Sequence, residues 1–206
     1  MTTAYEFNVF VNCPFDEGYA PLFDAIVFTV HDCGFVARCA LEVSNSAQVR
    51  IDKIFEMIAE CRYGIHDISR TELDAASGLP RFNMPLELGL FLGARRYGRG
   101  RQREKACLVL DREPYRYQKF CSDIAGQDIK AHSGDVRRAV GVVRDWLRSA
   151  PAVQEVRVPG GAKIFERYEA FLGDLPRLCE ALDLDRQTLI FNDYATLLVE
   201  WQRVHA

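Results

Sequence analysis

The run Arg81-Phe82-Asn83-Met84-Pro85-Leu86-Glu87-Leu88-Gly89-Leu90-Phe91-Leu92-Gly93 holds a single carboxylate, Glu87, in an otherwise apolar stretch. Pro85 suits the first turn of a helix, where its missing N–H costs nothing. The segment therefore predicts a helix from Asn83 or Met84 to about Tyr97, with Glu87 in its first turn. Leu90 and Phe91 follow three and four positions on, and Leu86, Leu88 and Leu92 fill the other faces, so the pattern leaves Glu87 no solvated stripe. A second acid, Asp67, stands twenty residues earlier, near the end of the apolar run 63–68. Two carboxylates can divide labour at a glycosidic bond. One stabilises or captures an oxocarbenium-like centre while the other handles protons or ribose hydroxyls. Glu87 is the better candidate for the anomeric carbon, because apolar walls raise a carboxyl pKa while a helix N-terminus lowers it, keeping an ionised form available at neutral pH. Asp67 and Asn83 would then hold hydroxyls or the leaving base. The competing structural readings are a macrodipole complement for Glu87, a turn former for Asp67 and for Ser122-Asp123, and a packing role for His66.

Such acids need strands that end together. Residues 7–11 read as a buried strand, followed by the turn-rich Asn12-Cys13-Pro14-Phe15-Asp16-Glu17-Gly18 and an apolar helix over 19–32. The pattern repeats as strand 35–39, helix 49–60, strand 63–68, helix 84–97 and strand 106–110. A short last strand is expected near 128–129 and a helix over 134–148. This alternation predicts a parallel sheet with helices on both faces, whose ligands bind beyond the carboxyl ends of the strands. That edge collects Asn12, Pro14 and Asp16, then Arg38 and Glu42, then His66, Asp67 and Ser69, then Asp111 and Arg112. Glu87 projects over the same edge, which places it in one cleft with Asp67. Residues 1–150 form the α/β domain on this reading, 151–161 a linker, and 162–206 a helical hairpin with helices near 162–182 and 186–204. The hairpin carries apolar and aromatic stripes suited to core packing, to self-association or to a protein partner.

The 206 residues suffice for one core, and 49% hydrophobic with 27% charged residues is the balance of a globular domain rather than a disordered or membrane chain. No basic, apolar leader opens the sequence and no apolar run reaches membrane-spanning length, so the expected location is cytoplasmic. Seven cysteines without a CxxC pair argue against a disulfide framework and against a zinc site, and no metal or cofactor is expected. A net charge of −3 gives no general attraction to nucleic acid. Five arginines between Arg95 and Arg103 form either a solvated loop at the end of the helix far from Glu87 or a mobile phosphate clamp.

The run 65–111 resembles the nucleoside 2-deoxyribosyltransferase family, which shares a flavodoxin-like fold with the TIR-domain NAD glycohydrolases. Leu86-Glu87-Leu88-Gly89, the apolar helix after it and the strand Ala106-Cys107-Leu108-Val109-Leu110-Asp111 carry the likeness. The resemblance implies that Glu87 is the catalytic carboxylate, that Asp67 contacts the sugar, and that Asn12 lines the nucleobase pocket. Pro14, Asp16, Asn83 and Met84 are the further candidate substrate-binding residues. The family's Gly-rich opening is replaced by Val-Asn-Cys-Pro-Phe-Asp, and the C-terminal hairpin is extra. A hydrolase acting on NAD or a related nucleotide or nucleoside is therefore expected ahead of a transferase, with NAD as substrate rather than cofactor. Relatives of this kind serve as bacterial antiphage effectors. Two alternatives stand beside it: a non-catalytic nucleotide sensor whose hairpin signals to a partner, and a phosphoacceptor receiver with Asp67 as acceptor and Asp16 with Glu17 as a magnesium pair.

Overall fold

The computed structural model describes residues 5–42, 45–73, 78–153 and 157–205. Residues 154–156 of the expected linker, and the first four residues of the chain, lie outside them. The elements run β1 (Asn8–Asn12), α1 (Ala20–Asp32), β2 (Val36–Arg38), α2 (Arg50–Glu60), β3 (Tyr63–Asp67), α3 (Asn83–Tyr97), β4 (Ala106–Asp111), β5 (Lys130–Ala131), α4 (Val136–Arg148), α5 (Gly161–Glu180) and α6 (Phe191–Val204). All strand pairs are parallel, in the order β2-β1-β3-β4-β5. This is the flavodoxin-like order, and its switch point lies between β1 and β3.

Alternation along the strands divides the core. Val9, Val11, Tyr63, Ile65, Leu108 and Leu110 turn to one face and pack with α1, α4, α5 and α6. Phe10 turns to the other face and packs with Ile54, Met57 and Ile58 of α2 and Phe91 of α3. Gly64 belongs to that second face, where a Cβ would stand 2.6 Å from His66 Nε2 and 2.9 Å from the Phe91 ring, so its lack of a side chain is what lets both rings close on the sheet. Lys105, buried just before β4, donates from Nζ to the carbonyls of Ile58 and Cys61 and so ties off the end of α2.

Two expectations are corrected. The fifth strand is Lys130–Ala131 rather than 128–129, because the chain pairs with Leu110 and Asp111 only at those residues. Residues 186–190 do not join the last helix: Asp185 caps a short 3-10 turn, Arg186–Thr188, and α6 begins at Phe191. The hairpin packs into the main core, the first of the uses to which its apolar stripes are suited. Phe28 of α1 meets Tyr168, Phe171 and Trp201 at ring distances of 5.4, 5.7 and 6.0 Å. Sandwiched between sheet and hairpin, α1 buries eight of its thirteen residues, which explains why its sequence is apolar all round. Among the described residues, no helix is long and apolar enough to cross a membrane.

Candidate functional site at the carboxyl edge of the sheet

Helix α3 starts at Asn83, as the proline placement predicts, but Glu87 is then its fifth residue and lies beyond the first turn. The helix end therefore helps its carboxylate little, since the macrodipole effect fades within one turn. Glu87 is 7% exposed, and no hydrogen bond reaches its carboxylate among the described residues. Burial pushes its pKa up to about 7, with the charge of Arg50, the first residue of α2, pulling it back. The expected balance between wall and dipole thus falls on the side of the wall. The helix is not apolar and buried on every face, however: Leu86 is 54% exposed and Phe82, just before it, 61%.

Asn12 holds this helix in place. Its Nδ2 donates to the Met84 carbonyl at 2.9 Å and meets His66 Nδ1 at 3.0 Å. With both amide hydrogens used, Asn12 joins the ends of β1 and β3 to the first turn of α3, and the donation leaves the His66 proton on Nε2. Burial, with the Lys105 charge adding to it, lowers the His66 pKa to about 3, so the ring stays neutral at physiological pH. His66 lies edge-on to Phe10 and Phe91, the packing role read from the sequence.

Asp67, one residue later, turns to the opposite face of β3. It is fully buried there. Oδ2 accepts from Tyr19 Oη at 2.5 Å and Oδ1 from the Ser69 N–H at 2.8 Å. His132 Nε2 lies 3.0 Å from Oδ2, off the axis of a good hydrogen bond, while its Nδ1 accepts from the Gly134 N–H at 2.9 Å. Asp67 and Glu87 therefore do not share a cleft in the way the strand-end argument placed them: alternation turns Asp67 toward α1 and α4, whereas Glu87 sits with α2 and α3. A fully buried Asp67 is also closed to the phosphoacceptor role. Cys13 lies beside it, and burial, with the Asp67 charge, raises its thiol pKa well above the ordinary value.

The remaining expected residues divide between these groups. Asn83 is exposed and Met84 half-buried at the start of α3, while Pro14 is buried after β1. Asp16 pairs with Arg70 at 2.7 Å, linking the turn after β1 to the segment after β3. Asp111, fully buried, receives Nε and Nη2 of Arg116 at 2.9 and 2.6 Å, and Arg116 also donates to the Ser69 carbonyl and the Thr71 hydroxyl, both at 2.7 Å. The arginine-rich segment lies at the opposite end of α3. There Tyr5 donates to the Arg101 carbonyl at 2.6 Å and Arg101 stacks over the Tyr5 ring.

Sequence reasoning missed Tyr19, His132 and Arg50. His132 follows β5 directly and would have been found had the strand been placed two residues later. Arg50 opens a helix at the same edge and carried no signal beyond that position. Among the described residues no group of three or more His, Cys, Asp or Glu is arranged to hold a metal ion. Compared with family models, curated proteins and solved structures, the chain gives no match.

Proposed function

We propose that the protein is a hydrolase that cleaves an N-glycosidic bond in NAD or a related nucleotide or nucleoside, with Glu87 stabilising or capturing the oxocarbenium centre. The observation that carries the reading is a carboxylate with no hydrogen-bond donor among the described residues, buried at the switch-point edge of a parallel sheet, with burial pushing its pKa up to about 7. A group with such a pKa exchanges its proton readily at working pH. A positively charged N-ribosyl-pyridinium substrate would favour the ionised form by direct attraction, so charge would develop on Glu87 where the transition state needs it. Asn12 and Met84 act in this reading by fixing the first turn of α3, with Asn83 at its exposed start free to meet the substrate. Asp67 acts from below, holding the turn at Tyr19 and the segment at Ser69.

The test is incubation of the purified chain with NAD and a panel of nucleosides, followed by chromatography of the products. Release of a free base that is lost in Glu87→Gln is expected. If no member of the panel lost its base, the hydrolase reading would fall. The nucleotide-sensor reading is favoured by a specific observation, namely that Asn12 and Asp67 are already engaged by protein partners. Saturable nucleotide binding without turnover would select it.

A further inference from the structure

The turn after β1, helix α1 and the C-terminal hairpin enclose an open-mouthed cavity of about 400 Å³. This is within the usual size for a small-molecule site. Its lining is rich in rings, with Phe15 edge-on to Phe23 at 5.3 Å and Phe191 at 6.0 Å from Phe23. Asp24 of α1 joins this lining. Among the described residues its carboxylate accepts no hydrogen bond and forms no ion pair, and Arg186, which also lines the cavity, acts on it only through space. Tyr194, another lining residue, donates instead to the backbone carbonyl of Asp24 at 3.1 Å. Burial pushes the Asp24 carboxyl up to about 6, the mark of a charge that the fold itself does not satisfy. Asp16 and Glu17 also line the cavity. Asp16 is held by Arg70, which leaves Asp24 and Glu17 facing Arg186, and an anionic ligand would still meet a net negative charge.

We propose that this cavity binds a small aromatic cation, its ring laid among Phe15, Phe23 and Phe191 and its charged N–H group donated to Asp24. Ring stacking and a charge-assisted hydrogen bond to a carboxylate in apolar surroundings supply both affinity and orientation. The site owes nothing to Glu87 and stands whether or not the chain is a hydrolase. It gives the hairpin a role beyond packing, because α5, α6 and the turn between them build one wall while the turn bearing Pro14 and Asp16 builds the other.

Isothermal titration calorimetry with tryptamine tests this, with the neutral tryptophol and the anionic indole-3-propionate as controls. Saturable one-site binding of tryptamine is expected, at least tenfold weaker binding of tryptophol, and none of the anion. Asp24→Asn keeps the shape of the side chain and should weaken tryptamine binding at least tenfold. Leu172→Trp, which fills the cavity from α5, should abolish it, and Glu87→Gln should leave it unchanged. Absence of saturable tryptamine binding at millimolar concentration would overturn the assignment, as would equal affinity in Asp24→Asn. Binding of an arginine-containing peptide but not of tryptamine would also overturn it, making the cavity a docking site for protein.

Discussion

Glu87 and Asp67 are both buried acids, and the difference between them is in their partners. Asp67 has the Tyr19 hydroxyl and the Ser69 N–H as donors, whereas Glu87 has none among the described residues and is left with the through-space charge of Arg50. An acid without donors destabilises the fold once it ionises. Its pKa rises from 4.5 to about 7 on folding, so between those values the native state holds a proton that the unfolded chain has lost, and stability falls as pH rises through that window. The full penalty, about 3 kcal/mol, is present only above pH 7. Glu87→Gln is therefore expected to match the wild type in urea melts near pH 4 and to exceed it by up to about 3 kcal/mol at pH 8. In the same variant, turnover is expected to fall ~10²–10³-fold with a smaller change in substrate affinity, read by single-turnover kinetics with binding measured separately. Wild-type kcat/KM should rise with pH through an inflection near 7 as Glu87 loses its proton, and a flat profile there would remove it from the chemistry. A variant that is more stable and less active is what a functional group yields, and a structural carboxylate yields the reverse.

At the scale of elements, the carboxyl edge is held by three polar joints. Asn12 ties β1 and β3 to α3, Tyr19 with Asp67 ties the turn after β1 to β3, and Arg116 with Asp111 ties β4 to the segment after β3. Tyr19→Phe removes a hydroxyl donor from a fully buried carboxylate and is expected to cost about 1–3 kcal/mol in a thermal or urea melt. Loss of less than a few tenths would show that water replaces the hydroxyl. These joints also show what was legible in the sequence. The alternating pattern located four of the five strands and the helices between them, because strands buried on both faces read as short apolar runs bounded by turn residues and the helices as longer segments between them. β5 has only two residues, too few for a period. The edge logic gathered Asn12, Asp67 and Glu87 correctly at one end of the sheet but could not separate its two faces, which one residue of register reverses. Arg50 and His132 escaped because long-range pairing, not local pattern, brings them to the edge.

At the scale of the molecule, the hairpin decides whether the α/β unit stands alone. Phe171, Leu175, Tyr194, Leu198 and Trp201 are buried in the same core as Val27, Phe28 and Val30 of α1. Arg167 adds an ion pair with Asp32 at 3.0 Å, and Trp201 donates to Asp174 at 2.8 Å. Phe171, in contact with Phe28, Tyr194 and Trp201, is the centre of this packing, and Phe171→Ala is expected to cost about 3–5 kcal/mol. Removing residues 161–206 would strip a whole side of α1, leaving Phe28 and its neighbours against water. At ~25 cal/mol per Å² of apolar surface, baring roughly 200–600 Å² is enough to consume the ~5–15 kcal/mol margin of an ordinary domain. The truncated chain is therefore expected to lose its cooperative melt in circular dichroism and to form large particles in light scattering, instead of persisting as a folded monomer. A soluble truncation with a single sharp transition would show that 1–160 carries its own stability, and the hairpin would then be an appended partner-binding module rather than the outer layer of the core.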